Sequence, residues 1–448
     1  MKPRVRRAGT TTFSNWAGNQ RCEPARIESP GSTEAVAAIV ADAHDRQTRV
    51  KVVGTGHSFT DAACTDGVLV RLNQLSGVES IDADTGVAVV GAGTPLNEFS
   101  LALDRRGRAL PNLGDIDVQT VAGATATATH GTGRALGNLA TGIVGLELVT
   151  GTGDVLWCDA DHNADIWRSA RVGLGALGII TRVALETVPA FALEARETVE
   201  SVDAIEGDWA GFIESAQHAE AIWIPGTNKA MVKRNDPSTA ALQPLSKARH
   251  FVDKILLENV ALGALMQLTR AIPATTGPVG KLMGAVAPTS TRVDQSFRIF
   301  ASPRHVRFVE MEYAIAVDAL PLALPRVREL VDNMARPPAF PVELRVSAAD
   351  DIPLSTAFGR DTAWIAVHQA KGVPFDEYFR GVERIMNDYD GRPHWGKMHF
   401  QTAATLSARY PAWDDFQQVR ATTDPGGTFR NDYLDRVLGP IQDSAHNR

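Results

Sequence analysis

The stretch Val52–Ala62, VVGTGHSFTDA, constrains this chain more than any other. Val50 to Val53 reads as a short buried strand, and it runs straight into Gly54-Thr55-Gly56. Glycine carries no Cβ, so a strand ending in Gly-x-Gly lets the backbone approach a ligand closely. Successive N–H groups in such a turn form a concave anion site, which suits a pyrophosphate. His57, followed by Ser58, is the unusual member. A phosphate loop needs no imidazole, but a neutral imidazole nitrogen is a competent nucleophile near neutral pH. The residues alone serve a strand-to-loop turn with a surface histidine equally well, because short glycine motifs match by chance.

A second stretch points the same way. Asn112-Leu113-Gly114-Asp115-Ile116 is followed by Thr120-Val121 and then by a run from Ala122 to Gly133 in which nearly every side chain is small. That run includes Gly123, Ala124, Thr127, Ala128 and Gly131 and closes on His130-Gly131-Thr132-Gly133. So many small residues supply little core burial. They fit a backbone that passes close to an extended ligand, with threonine hydroxyls as partners. A flexible Gly/Thr loop would have the same composition.

The chain has 448 residues, room for two or three domains. Its net charge of −7 gives no basic excess to neutralise phosphates, which excludes a general nucleic-acid or membrane-surface role. No apolar run approaches the roughly 20 residues of a membrane span. The basic start, Lys2 to Arg7, has no apolar run behind it and so does not read as a secretory signal. Cys22, Cys64 and Cys158 are far apart and odd in number, which predicts reduced thiols in a cytoplasmic protein and neither a disulfide framework nor a zinc site.

Several elements follow from periodicity and punctuation. Ser32 caps a helix over Glu34 to Arg46 with Val36, Ile39, Val40 and Ala43 on one face. Gly67 to Leu72 is a strand, and Val78 to Gly91 a hairpin about Asp84-Thr85-Gly86. Pro95 to Arg106 is an amphipathic helix with Leu96, Phe99 and Leu103 inward, stopped by Gly107. Ile143 to Thr150 and Asp154 to Trp157 form a hairpin, and Ala164 to Arg171 a helix. Gly173-Leu174-Gly175-Ala176-Leu177-Gly178 spells a literal GxGxxG, but a helix precedes it and the β-rich Ile179 to Val188 follows. A dinucleotide fingerprint needs the reverse order, so the segment is predicted to be a loop entering a strand. Pro189 marks a break. Beyond it, Phe191 to Thr198 and Arg307 to Ala316 read as strands, Ala221 to Lys233 as a hairpin, and Trp209 to Gln217, Leu322 to Met334 and Phe375 to Asp388 as helices. Helical runs around Phe251 to Leu268 and a Gly/Pro-rich portion at Ile272 to Gly284 read as a variable insertion. Val342 to Ser347 alternates Val342, Leu344 and Val346 against Glu343, Arg345 and Ser347. Trp364 to Gln369 puts Trp364, Ala366 and His368 on one side. Read alone, Glu343 and Arg345 are a surface charge pair worth little. His394 and His399 lack the helical i, i+4 spacing of a zinc motif, so no metal is expected.

These segments together resemble the vanillyl-alcohol oxidase superfamily, in its aldonolactone oxidase and alditol oxidase branch, and are similar to its actinobacterial L-gulono-1,4-lactone dehydrogenase/oxidase members. ATATATHGTG, STAFGRDTAWIAVHQ and GRPHWGKMHFQTAATL carry the likeness, which runs from about Asn15 to Leu438. The resemblance implies an α+β fold: a two-part FAD-binding domain of the vanillyl-alcohol oxidase (PCMH) type over 15–189, and a substrate domain over 190–448 with an antiparallel sheet flanked by helices. About 394–448 would pack back on the FAD domain. His57 would bond the flavin 8-methyl carbon. Val53, Gly54, Thr55, Gly56, Ser58, Gly114, Asp115, Val121, Gly123, Ala124, Thr127, Ala128, Gly131, Gly178 and Ile179 would lie along FAD. Glu343, Arg345, His368 and Lys397 would form the catalytic set.

The reaction so implied is oxidation of a sugar-lactone carbinol, L-gulono-1,4-lactone or D-arabinono-1,4-lactone, by hydride transfer to flavin N5. Arg345 and Lys397 are the cations for the charge that develops. His368 is a base for the hydroxyl proton, or Glu343 orients Arg345 and binds substrate hydroxyls. Gly114 would leave a path for molecular oxygen, with another electron acceptor as the alternative. An alditol or other carbohydrate oxidase is the rival within the class, and a non-catalytic flavin-binding protein the rival outside it.

Overall fold

The computed structural model describes residues 12–244, 275, 278, 289–302 and 306–441. Apart from residues 275 and 278, the helical runs and Gly/Pro-rich portion expected at 251–284, and the basic start, lie outside the described residues.

The N-terminal half builds two larger sheets, beside two two-stranded ladders. Arg26–Glu28, Val68–Arg71 and Val50–Val53 pair in parallel, with Val68–Arg71 central. A five-stranded antiparallel sheet follows in the order Val155–Asp159, Ile143–Val149, Ile179–Leu185, Ala88–Gly91, Val78–Ile81. Both expected hairpins are present. The strand after the GxGxxG segment, Ile179–Leu185, lies in the middle of this sheet, as the β-rich residues require. Helix Thr33–Asp45 starts at Ser32, whose hydroxyl accepts from the Ala35 N–H at 3.2 Å. Helix Leu96–Asp104 buries Leu96, Phe99 and Leu103, with Pro95 as the cap rather than inside the first turn.

One expectation is corrected here. The small-residue run is not merely a ligand-hugging loop. Val121–Thr125 is a helix capped by Thr120, whose hydroxyl accepts from the Gly123 N–H at 3.3 Å. Val121, Ala124 and Ala128 are fully buried in the main core. Small side chains here permit tight packing between sheet and cavity, so the run contributes burial after all.

The C-terminal half forms an eight-stranded antiparallel sheet. Its order is Ser290–Gln295, Ala192–Ser201, Lys229–Ser238, His218–Trp223, Val342–Ser347, Thr362–Ala370, Phe308–Ala316, Arg392–Pro393. Strand alternation gives it two unlike faces. Val309, Met311, Tyr313, Ile315, Val342, Leu344, Val346, Ile365 and Val367 point to a core closed by the helices Leu320–Asp332 and Asp376–Asn387. The other face carries Glu220, Glu310, Glu312, Glu343, Arg345 and His368 and looks toward the N-terminal half.

The chain then returns to the first core. Trp395, Leu406, Tyr410, Phe416, Phe429, Tyr433, Leu434 and Leu438 are buried with Val50, Val68 and Leu148 in one apolar cluster. The Asn431 amide donates to the carbonyls of Asp61, Ala62 and Cys64 at 2.9–3.1 Å, tying this segment to the Val52–Ala62 loop. Cys22, Cys64 and Cys158 carry free thiols. Among the described residues no helix is long and apolar enough to cross a membrane.

Candidate active site and cofactor cavity

A cavity of about 760 Å³ runs along the N-terminal half. Val53, Gly54, Thr55, Gly56, His57, Ser58, Gly123, Thr127 and Gly178 line it, with Lys51, Gln119, Thr120, Trp395 and Tyr433. The turn is shaped for close approach. A Cβ on Gly54 would lie 2.4 Å from Thr120 Oγ1, and Gly56 holds φ at +75°. Among the described residues, the backbone N–H groups of Thr55, Gly56, His57 and Ser58 donate to no protein acceptor. A run of unpaired donors lining a large cavity fits a diphosphate and so fits FAD. The N-terminal segment pins the loop from outside. Trp16 N–H donates to Gly56 O at 2.8 Å, Asn15 to Ser58 O at 2.9 Å and Asn19 to Phe59 O at 2.8 Å.

The remaining expected cofactor residues fall elsewhere. Val121, Ala124, Ala128 and Ile179 point into the core rather than into the cavity. Gly131 packs against the Asn112 side chain and the Leu113 carbonyl. Gly114 and Asp115 line a second, narrower cleft.

That cleft, about 70 Å³, gathers Glu343, Arg345, His368 and Lys397 with Asp115, His130, Glu310, Glu312 and His394. His57, Ser58 and Gln119 line both spaces, so the cavity and the charged cleft meet there. His57 stacks on Trp16 at 5.3 Å and 21°. Burial, with the charge on Lys397, pushes its pKa down to about 4, so the ring is neutral at pH 7.

Arg345 is no surface pair. Its Nη2 lies 3.0 Å from Asp115, 3.0 Å from Glu343 and 3.2 Å from Glu220. Burial works against its charge, but the three carboxylates outweigh it and raise the pKa well above the usual arginine value. Glu220 is pushed up by its own burial. Lys397 pairs with Glu310. His368 Nδ1 faces Pro341 O at 3.0 Å and Nε2 faces Glu310 at 3.5 Å. Each ring nitrogen of His368 therefore faces an oxygen acceptor. Burial opposes a charge on the ring, yet Glu310 and Glu343 raise its pKa.

His130, Glu310, Glu312 and Glu220 were not singled out from sequence as site residues. The signal was present: Glu310 and Glu312 alternate with Val309, Met311 and Tyr313 in one strand, and buried carboxylates at i, i+2 need partners. His130 stacks on Trp364 at 3.7 Å and reaches Glu312 at 3.4 Å. It is delivered by a segment stitched to the sheet, with Gly133 N–H donating to Val346 O at 2.9 Å and Thr132 Oγ1 to Ala219 O at 2.6 Å. His130, Glu312 and His394 bring ligand-capable atoms within 4.8 Å of one another. However, His394 Nδ1 accepts from the Gly396 N–H at 3.0 Å, and burial pushes its pKa down to about 3. The neutral ring therefore carries its proton on Nε2 and offers no second lone pair to a metal.

Comparison with known proteins agrees with this layout. Residues 183–437 match the family described as D-arabinono-1,4-lactone oxidase, and residues 24–159 match an FAD binding domain. L-gulono-1,4-lactone dehydrogenase of Mycobacterium tuberculosis is 44% identical over 428 residues, 96% of this chain and 99% of that protein. L-gulonolactone oxidase of Scyliorhinus torazame is 32% identical, covering 95% of this chain and 98% of that one. Cholesterol oxidase from Brevibacterium sterolicum superposes with a TM-score of 0.82 over 96% of this chain and 97% of its own, at 18% identity, a likeness of fold.

Proposed function

This chain belongs to the D-arabinono-1,4-lactone oxidase family, and from that premise we propose that it oxidises L-gulono-1,4-lactone, or the related D-arabinono-1,4-lactone, with FAD joined to His57. It is an FAD-dependent oxidoreductase acting on an aldonolactone carbinol. The observation that carries the reading is the shared wall: His57, Ser58 and Gln119 belong at once to the diphosphate-binding cavity and to the cleft where Arg345 and Lys397 converge.

Bound FAD supplies the hydride acceptor. Thr55 to Ser58 offer the backbone donors for its diphosphate. His57, neutral and half-buried against Trp16, would bond the flavin 8-methyl carbon in place of one methyl hydrogen, the two electrons released going on to the enzyme's electron acceptor. Arg345 and Lys397 place fixed positive charge in a dehydrated cleft, where it stabilises developing negative charge most effectively. Asp115 and Glu343 sit beside Arg345 as acceptors for substrate hydroxyls. His368, set between the Pro341 carbonyl and Glu310, serves as a partner of Glu310 rather than as the free base. The two electrons taken from the carbinol pass on to molecular oxygen or another acceptor.

The test is anaerobic. Adding L-gulono-1,4-lactone to the yellow holoprotein should bleach the visible flavin band. No bleaching in protein that dithionite still reduces would remove this lactone as substrate. Separately, acid-precipitated wild-type protein should stay yellow, and His57→Ala should release its flavin. A colourless wild-type pellet would rule out the covalent bond.

A further inference from the structure

We propose that Glu310, braced by His368, is a positioning residue that holds Lys397 as an ammonium ion where the charged cleft meets the cofactor cavity. The inference rests on the lactone-oxidising reading of that cleft and assigns a role to a residue outside the expected catalytic set.

Lys397 sits in a segment fixed on both sides. The His394 N–H donates to Glu312 O at 2.9 Å and the Met398 N–H to Glu310 O at 2.8 Å, so the segment continues the sheet beside Phe308–Ala316. On the other side Gly396 O accepts from the Phe59 N–H at 2.7 Å, which links it to the His57 loop. The Lys397 side chain is 18% exposed and its ammonium lies 5.4 Å over the Phe59 ring. Burial lowers the pKa of a primary amine, so nearby anions help to keep this one charged.

Charged and titratable groups approach from every neighbouring element: Glu310 and Glu312 on one strand, His368 on the next, and Glu343 and Arg345 on the strand beyond. Asp115, His57 and His130 come from the N-terminal half, and His394 from the segment itself. Of these, Glu310 touches the ammonium directly. Glu312, one pleat further along the strand, is engaged by His130 at 3.4 Å. Burial works against the charge on Lys397, and Glu310 first, then Glu312, raise its pKa in spite of it. Glu310 in turn is held ionised, its pKa drawn down to about 2 against burial by Lys397 and His368. His368 cannot swing away, because its far nitrogen is fixed on Pro341 O. The order of support is therefore Pro341 carbonyl, His368, Glu310, Lys397.

Glu310→Gln keeps the shape and removes the anion. Lys397 should then lose its proton within the working range. Two readouts follow on the holoenzyme across about pH 6 to about pH 9. One is the anaerobic rate of flavin bleaching by L-gulono-1,4-lactone. The other is flavin affinity for sulfite, an anion whose binding strengthens with positive charge nearby. In each, the variant-to-wild-type ratio should be largest at low pH and fall by up to about tenfold per pH unit above the new lysine pKa. Adding Lys397→Arg to Glu310→Gln should make the ratio independent of pH, because a guanidinium stays charged. A ratio that does not change with pH in the single variant overturns the proposal. If the lactone bleaches neither protein, the substrate assignment fails alone, and the sulfite ratio still decides the state of Lys397. Should Glu310→Gln not load flavin, Glu310→Asp must show a smaller fall in the same direction, and a flat ratio there overturns it.

Discussion

One guanidinium atom, Arg345 Nη2, lies within 3.2 Å of oxygens from Asp115, Glu343 and Glu220. A lysine is a poor replacement, because its ammonium rides on a flexible four-carbon stem and holds that one position less firmly. Arg345→Lys should keep the flavin yet slow anaerobic bleaching by about 10²-fold, the usual loss when a fixed charge-stabilising group is removed. Stopped-flow absorbance checks it, and a rate equal to wild type would show that Arg345 has no part in the step. Gly114 poses a different question. A Cβ there would lie 3.0 Å from His130 O and 3.6 Å from Thr129 Cγ2. Gly114→Ala must therefore shift the His130 backbone by a few tenths of an ångström, at a cost of about 1 kcal/mol. Reoxidation of the reduced enzyme in air should slow as well. If wild type and variant reoxidise at the same rate, Gly114 is not on a path to oxygen.

At the scale of elements, the cofactor loop and the helix Val121–Thr125 press on each other through Gly54 and Thr120. Gly54→Ala drives its methyl into the Thr120 hydroxyl that caps the helix, so flavin loading should fall. Adding Thr120→Ala should restore part of that loading while losing about 1 kcal/mol of cap energy. Absorbance ratio and thermal midpoint separate the two effects. The elements themselves were largely legible. The Ser32 cap, both hairpins, the strand Val342–Ser347 and the reading of the GxGxxG segment as a loop entering a strand rather than a Rossmann turn all follow from local periodicity and punctuation. The helix Val121–Thr125 was not legible, since Ala, Gly and Thr carry no hydrophobic pattern and its burial comes from neighbours far along the chain. Glu310 and Glu312 showed as an alternation, but nothing local tells an exposed carboxylate face from a buried one.

For the whole molecule, the returning C-terminal segment closes the cofactor half, and Lys51 is one of its fasteners. Its ammonium donates to Gly175 O at 3.1 Å and Phe429 O at 3.3 Å, close to Arg420 and Asp424. Burial pushes its pKa down from 10.5 to about 7. Between those values the unfolded chain binds a proton that the folded one does not, so stability should rise with pH across that window, by up to about 1.4 kcal/mol per unit. Below the window both states are protonated and this slope vanishes. Denaturant midpoints of the flavin-free protein should show the rise, and Lys51→Met should remove it. Equal slopes in the two proteins would place the charge elsewhere. Asn431→Ala, which cuts the ties to Asp61, Ala62 and Cys64, should lower the midpoint by the equivalent of about 2 kcal/mol.

The sequence by itself determined most of the elements, the glycine turn with its histidine, and the alternation that separates Glu343 and Arg345 from Val342 and Leu344. These rest on short-range rules of chirality, capping and side-chain period, which a local stretch obeys wherever it sits. Only the tertiary structure decided that the charged face of the eight-stranded sheet lies against the cofactor half, that Arg345 gathers three carboxylates, and that Glu310 holds Lys397. Those pairings join residues from strands, loops and the returning segment far apart in the chain. Their energy depends on burial and on partners that no local pattern contains.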